Sequence, residues 1–411
     1  MNILFLTLAY PEEENQTNLY TDLMTEFVRH GHTVRVICQR EAKSGGQTGW
    51  TAHRGVKVLR IRTGNITQSS FIEKGISLIR LKQQFINGYR SYLQQESFDL
   101  LIYSTPPVDF ADVVAFIKQK NRCKTYLLLK DIFPQNAVDM ELMRNGSLLH
   151  RYFRNKERKL YRNSDHIGCM SEGNRQFLLK HNPELSAQKV DVNPNSIQPG
   201  DVKTLVEKDT LKEKMGIPID ATVYLYGGNL GKPQGIDFLL ETVKSLKGRS
   251  DIYFLIVGSG TEYEKISYCI QDYQLSNVKL LTALPKTDFD ALVSAADVGM
   301  IYLDRRFTIP NIPSRLLSYM EQSTCIYAIT DRHTDLKEII SSADCGFWSE
   351  AGDLAAFKGV IEKIQSHNSL SRLGENGRAY LENHFTVSIS YDRIIGAIGM
   401  DEQQGLFSVS V

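Results

Sequence analysis

Three turns in the second half of the 411-residue chain, each marked by glycine or proline, carry residues suited to holding an anion. In YGGNLGKPQGIDFLL, Gly227 and Gly228 allow close backbone approach, and Lys232 precedes a helix expected to begin near Gln234. In VGSGTEYEKI, a strand runs into a glycine-permitted turn at Gly258 and then into another helix. In IPNIPSRLLSYMEQ, Pro310 and Pro313 fix the backbone and Ser314 is a candidate cap; the first amides of RLLSYM are expected to point outward without partners. Arg315 stands one residue inside that helix, where the helix field disfavours a cation. A phosphate placed between the helix terminus and the guanidinium removes the conflict. The chemistry these turns suggest is therefore a bed for a diphosphate, with Lys232 and Arg315 as counter-charges. Either cation alone also reads as a solvated residue on a helix shoulder; their pairing at two strand-to-helix turns favours a site.

Such turns must be delivered by parallel strands, since open α/β sheets bind ligands beyond the carboxyl ends of their strands. The segments TVYLYGGN, IYFLIVGSG, VKLLTAL, VGMIYL and CIYAIT read as those strands, with helical patterns between them. The first half has the same alternation. NILFLTLAY is a continuous apolar run, NLYTDLMTEFVRHG is an amphipathic helix closed by Gly31, and HTVRVICQR is a second strand, so the chain opens with a βαβ unit. DLLIYST, KTYLLLKD and HIGCMS continue it. The expected boundary lies in NPNSIQPGDV, residues 193–202. This gives domains over 1–197 and 198–385, and a tail helix over 386–411 that packs back on the first domain.

Charge is uneven: residues 1–197 hold 27 Lys and Arg against 19 Asp and Glu, and the remainder 21 against 28. A basic half invites nucleic acid, an anionic membrane or an anionic substrate, with chance fluctuation as the bland alternative. No nucleic-acid signature is present, which excludes that partner from the reading. Six dispersed cysteines without metal spacing suit buried thiols in a reducing compartment. No leader-like segment or membrane span is legible. The expected location is cytoplasmic, peripherally held at the inner face of the plasma membrane.

Three motifs fail on inspection. DFD at 288–290 opens a helix in which Thr287 or Asp288 is the expected N-cap, so it is no metal site. GGNLGKP has Tyr226 at the first P-loop glycine and Pro233 at the hydroxyl position, and GSGTEY lacks the third glycine of a dinucleotide fingerprint.

Taken in order, FVRHGHTVRVI, VDVNPNSI, GGNLGKPQGIDFLLETV, FLIVGSGTEYEKI, LPKTDFDALVSAADVGMIYL, PSRLLSYMEQ and LGENGRAYLENHFT resemble glycosyltransferase family 4. STPP, KDIFPQNAV and KLYRNSDHIGCMSEGN resemble its WbuB-like branch, associated with O-antigen and capsule sugars. The resemblance implies a GT-B fold, with two Rossmann-like doubly wound parallel-sheet α/β domains facing a cleft. It also implies retaining transfer from a nucleotide-sugar, with UDP expected, to a lipid-diphosphate-linked saccharide, without a metal or other cofactor. On this likeness the donor is held by Gly228, Asn229, Lys232, Gln234, Gly258, Leu284, Pro285, Asn311, Pro313, Ser314, Arg315 and Ser318. The acceptor is met by Thr17, Asn18, Ser104 and Asp131, and Asp131, Lys232 and Arg315 are the catalytic candidates. Asp131 reads equally as a helix cap.

The chain departs from the family where two glutamates are usual: Pro310 and Ser318 stand in their places, and Asn229 and Gln234 replace a usual Arg and Lys. Asp304 or Glu321 could take over a hydroxyl contact. These departures keep open a catalytically silent partner protein or a sugar-nucleotide epimerase on the same fold. The segments 71–93 (Ile72, Ile76, Ile79 and Phe85 with Lys74, Arg80, Lys82 and Arg90) and 150–162 read either as faces for anionic lipid or as amphipathic core helices with solvated cations.

Overall fold

The computed structural model describes residues 1–66, 71–201 and 208–407, without the side chains of Phe71, Ile72, Lys74 and residues 400–407. The expected roles of Ile72 and Lys74, and Val202 of the expected linker, lie outside the described residues. The chain divides into two compact units: Met1–Gln198 with Val387–Val411, and Pro199–Thr386.

The first unit is built on eight strands: β1 (Asn2–Leu6), β2 (Thr33–Glu41), β3 (Gly49–His53), β4 (Val56–Thr63), β5 (Leu100–Ser104), β6 (Lys124–Leu129), β7 (His166–Cys169) and β8 (Val190–Val192). Their order is β3-β4-β2-β1-β5-β6-β7-β8. All neighbours are parallel except the β3–β4 hairpin. Ile3, Leu4, Phe5 and Leu6 are all buried, as a parallel strand covered on both faces requires. The hairpin was not among the expected strands. It turns through Arg54 and Gly55, both with positive φ, and Arg54 is a residue that rarely adopts that conformation. The first helix, Leu19–Arg29, is closed by Gly31 as expected: the glycine is left-handed (φ 80°), its amide donates to the Val28 carbonyl at 2.9 Å, and the His32 amide donates to the Phe27 carbonyl at 3.1 Å.

The final helix, Val387–Phe407, belongs to this unit. Tyr391, Ile394, Ala397 and Ile398 join the core formed by Phe27, Val34 and Val36. Ser390 Oγ donates to Asn193 Oδ1 at 2.8 Å, and His32 Nε2 lies 2.9 Å from the Tyr391 hydroxyl.

The second unit has six parallel strands: β9 (Thr222–Asn229), β10 (Ile252–Ser259), β11 (Val278–Leu281), β12 (Val298–Tyr302), β13 (Cys325–Thr330) and β14 (Gly346–Glu350), ordered β11-β10-β9-β12-β13-β14. β14 is an addition to the expected set. Tyr224 and Tyr226 alternate into a core with Leu239, Val243, Phe357 and Ile361, which come from the helices on one sheet face. No helix among the described residues is long and apolar enough to cross a membrane. All six cysteines are free, and five are buried.

Candidate functional site: a guanidinium at the carboxyl edge of the second sheet

The end of β9 is shaped by its neighbours' need to come close. Gly228 pairs in register with Gly258 of β10, and a methyl group on Gly258 would lie 1.9 Å from the Gly228 carbonyl oxygen. A methyl on Gly227 would lie 2.2 Å from the ring of Phe289. Gly228 itself has φ 120°, a backbone state that side chains disfavour. Beyond Asn229 the chain forms a short 3-10 turn, Lys232–Gln234. Gly235 is left-handed, and the helix starts at Ile236, two residues later than expected.

Into this turn reaches Arg315, the first residue of the helix Arg315–Glu321. Its Nη2 donates to Gln234 Oε1 at 2.6 Å, and its Cζ lies 4.6 Å from the centroid of the Tyr226 ring. A methyl on Gly228 would come within 3.5 Å of Nη2. Nη1 is buried with no hydrogen-bond partner, and among the described residues no carboxylate pairs with the group. A buried unpaired donor costs about 1–3 kcal/mol, so the arrangement is short of one acceptor.

The surrounding predicted residues fall into two sets. Gly228, Gly258, Gln234 and Arg315 form one contiguous cluster with Asn229, whose carbonyl accepts from the Tyr226 hydroxyl at 2.9 Å. Lys232 is exposed two residues from Gln234 and forms no ion pair among the described residues. Pro285 accepts the Phe289 amide at 2.9 Å at the start of the helix that carries Phe289, and Leu284 directly precedes it. Asn311 accepts from Thr334 Oγ1 through its carbonyl, Pro313 accepts the Leu316 amide, and Ser318 is partly exposed one turn further on.

Several expectations are corrected. Ser314 makes no side-chain cap, because its own backbone is already helical (φ −62°, ψ −22°) and a capping side chain needs an extended one. The amides of Leu316 and Leu317 are bonded to the carbonyls of Pro313 and Ser314, so they do not point outward unsatisfied. The open donor here is on the side chain of Arg315, not on the amides of Leu316 and Leu317. Neither Thr287 nor Asp288 caps the following helix; Pro285 occupies that position. Asp304 is gripped by Arg306 through both Nε and Nη2, and Glu321 accepts from the Gly200 amide at 3.0 Å. Both carboxylates proposed as substitutes for the missing acids are thus engaged elsewhere.

In the first unit, Lys130 and Asp131 follow the end of β6. Thr105 Oγ1 holds the turn, accepting the Lys130 amide at 3.1 Å. Asp131 accepts from Asn136 Nδ2 at 2.6 Å and caps no helix, since Pro134 takes the cap position of Gln135–Asp139. Burial pushes the Asp131 carboxyl up to about 7, and burial also draws the Lys130 ammonium down to about 7. A carboxyl in that range can hold or release a proton near neutrality. Asn18 Oδ1 is committed to the Tyr20 and Thr21 amides at 2.9 Å each, as the cap of the first helix, and Thr17 precedes it partly exposed. Ser104 is only 2% exposed, so its hydroxyl is closed off from an acceptor in this structure. Sequence reasoning missed Tyr226, Thr105 and Asn136. An aromatic residue immediately before the glycine pair was the available signal for the first; the other two lie inside STPP and KDIFPQNAV, whose resemblance marked the segments but not these side chains.

Residues 16–200 match the model described as Glycosyltransferase Family 4, and residues 207–380 match that described as Glycosyl transferases group 1. The chain belongs to the family 4 glycosyltransferases. It is 20% identical to the probable glycosyltransferase WbjE of Pseudomonas aeruginosa over 78% of this chain and 79% of that protein. It is 21% identical to the putative colanic acid biosynthesis glycosyl transferase WcaI of Escherichia coli K12, over 82% and 86%. Among solved structures, Anabaena HepE in complex with UDP and glucose superposes with a TM-score of 0.68 at 14% identity, covering 97% of this chain and 100% of that one. The fold of this glycosyltransferase is GT-B, with two parallel-sheet α/β domains. Among the described residues no group of three or more His, Cys, Asp or Glu could hold a metal ion.

Gln234 is neutral where it meets the guanidinium, and that neutrality is testable. Gln234→Lys replaces the acceptor at 2.6 Å with a second cation. It is expected to lower the stability of the second unit by about 1–3 kcal/mol in urea titration. An unchanged midpoint would show that the contact contributes nothing.

Proposed function

We propose that the chain is a retaining glycosyltransferase that moves a sugar from a UDP-sugar to a lipid-diphosphate-linked saccharide in the building of a cell-surface polysaccharide, O-antigen or capsule. The observation that carries this reading is Arg315, a guanidinium without a carboxylate and with one donor unsatisfied, at the carboxyl edge of the second sheet. UDP as the leaving group is supported by the nucleotide named in the HepE complex, and the polysaccharide context by the colanic acid pathway named for WcaI.

In this mechanism the bond from the anomeric carbon to the diphosphate breaks, and negative charge grows on the leaving oxygen. Arg315 and the exposed Lys232 stabilise that charge, which is where electrostatic help lowers the barrier most. The acceptor oxygen bonds to the same face of the anomeric carbon, and its proton passes to the departing phosphate. Asp131, with its carboxyl shifted toward neutrality, serves on the first unit as the polar contact for a sugar hydroxyl. Cationic side chains fill the place of a metal, so turnover is expected to persist in EDTA; complete loss that is restored by a divalent ion would overturn that part.

The acceptor brings a membrane with it, and the structure changes how the surface would be met. The cations of the helix Leu148–Asn163 are largely paired: Arg154 with Glu157, Lys156 with Asp109, and Lys159 with Asp112, which also holds Lys82. Phe85 is core, not surface. What stands out instead is apolar: Leu148 is 85% exposed, Ile79 75% and Leu142 68%, with Leu149 and Tyr152 at half. Arg144 and Arg151, both exposed and without ion pairs among the described residues, flank them. Contact with an anionic bilayer is therefore assigned to insertion of these leucines beside two arginines, in place of a broad basic face.

Two measurements test the proposal. Arg315→Ala removes a charge-assisted contact of about 1.5–3 kcal/mol, so UDP affinity by calorimetry is expected to fall about 10- to 150-fold. Equal affinity and turnover would leave Arg315 as a solvated helix residue. Replacing Leu148 and Leu149 together by serine removes roughly 1.5–3 kcal/mol of apolar burial, so partition onto vesicles containing anionic lipid is expected to drop at least about tenfold. Undiminished partition would remove these residues from the membrane face.

A further inference from the structure

Arg315 is held by more than the amide of Gln234. Its guanidinium lies over the ring of Tyr226, 4.6 Å from the centroid, and the ring is itself only 1% exposed. The hydroxyl of the same tyrosine donates to the Asn229 carbonyl at 2.9 Å, across the Gly227–Gly228 turn. One side chain thus supports the cation from below and pins the loop beside it. We infer that Tyr226 is a positioning residue for the donor phosphates, acting through Arg315. This inference rests on the proposed role of Arg315 and adds the group that aims it.

The physical case begins with the freedom an arginine would otherwise have. Its side chain is rich in rotamers, and binding must remove that freedom unless the fold has already done so. A cation over an aromatic face is attracted by the ring's negative face, more strongly as water is excluded. Combined with Gln234 at the edge of the fork, this restricts the guanidinium to one plane. Tyr226 is fixed in turn. Its ring meets Tyr302 edge-on at 6.0 Å, and the Tyr302 hydroxyl lies 2.8 Å from Thr242 Oγ1. On the other side of the sheet, Tyr319 accepts the Gly227 amide at 3.2 Å, and its hydroxyl lies 3.1 Å from the Met300 carbonyl, tying β9 to β12. A tyrosine needed only to fill the core would serve equally well without a cation on its face.

The ring's electrostatic role can be separated from its volume. Tyr226 is replaced by phenylalanine, 3,5-difluorophenylalanine and 3,4,5-trifluorophenylalanine, which drain the negative face of the ring while nearly preserving its shape. UDP binding is measured by calorimetry, and the thermal midpoint is recorded for each variant. Tyr226→Phe keeps the platform, and the affinity then falls stepwise with fluorination, by about 2- to 10-fold in total, because the competent orientation of Arg315 becomes less populated. In an Arg315→Ala background the same series is flat. A merely structural ring would move the midpoint and leave affinity independent of fluorination. A flat series in the wild-type background, or the same slope in both backgrounds, overturns the inference while leaving the phosphate role of Arg315 standing. If Arg315→Ala alone leaves UDP affinity unchanged, the phosphate reading fails, and the positioning role fails with it.

Discussion

A positive charge that is partly buried without a carboxylate must be compensated by dipoles, by an aromatic face or by a ligand, and Arg315 has only partial compensation of the first two kinds. Gln234 supplies one amide dipole and Tyr226 one ring. Much of the carboxyl edge of the second sheet follows from keeping that group in place. Gly228 is favoured without a side chain because its φ of 120° is one that side chains disfavour, and the guanidinium packs directly against it. Gly258 must lack one because β10 passes against the Gly228 carbonyl. Tyr319 ties β9 to β12 from within the same short helix that carries Arg315, so the cation and the strand end beneath it are anchored to one frame.

The first unit handles charge in the opposite way. Its excess cations do not accumulate into an open field; those of two helices are drawn to Asp109 and Asp112 at the start of a third helix, Phe110–Asn121. Exposed ion pairs of this sort contribute little to stability, but they remove cations from the surface. The residues left outward in the first turns of Leu148–Asn163 are two leucines, Arg151 and a tyrosine. Pairing of this kind leaves the net charge of this half unchanged but breaks up a continuous basic face.

The two acids usual in this family have no local replacement among the residues proposed for the task. Asp304 is closed by Arg306, and Glu321 is turned to the Gly200 amide and toward Lys286. A cation delivered by the helix after β12, next to an amide in the turn after β9, is what the chain has instead. The same two positions are linked by a 2.6 Å hydrogen bond, so the effects of altering them are not additive.

The sequence by itself determined the strands of both sheets that are continuous apolar runs, because burial on both faces leaves no other reading for Ile3 to Leu6 or Tyr253 to Val257. It also determined the glycine and proline turns, and the order of motifs that marks the family. It located Arg315 by its conflict with the helix field. It did not reveal the β3–β4 hairpin, whose turn depends on an arginine at positive φ, nor the cap status of Ser314, which depends on backbone angles no side chain announces. Ser104 and Asn18 looked equally available as polar residues near strand and helix ends. Only packing decided that one is buried and the other is committed to two amides. The ring beneath Arg315 was likewise settled by tertiary structure: Tyr226 and Arg315 are far apart in the chain, and nothing in either local pattern fixes the distance between them. Local sequence carries propensity and periodicity; contacts between distant side chains exist only once the sheet has set its strands side by side.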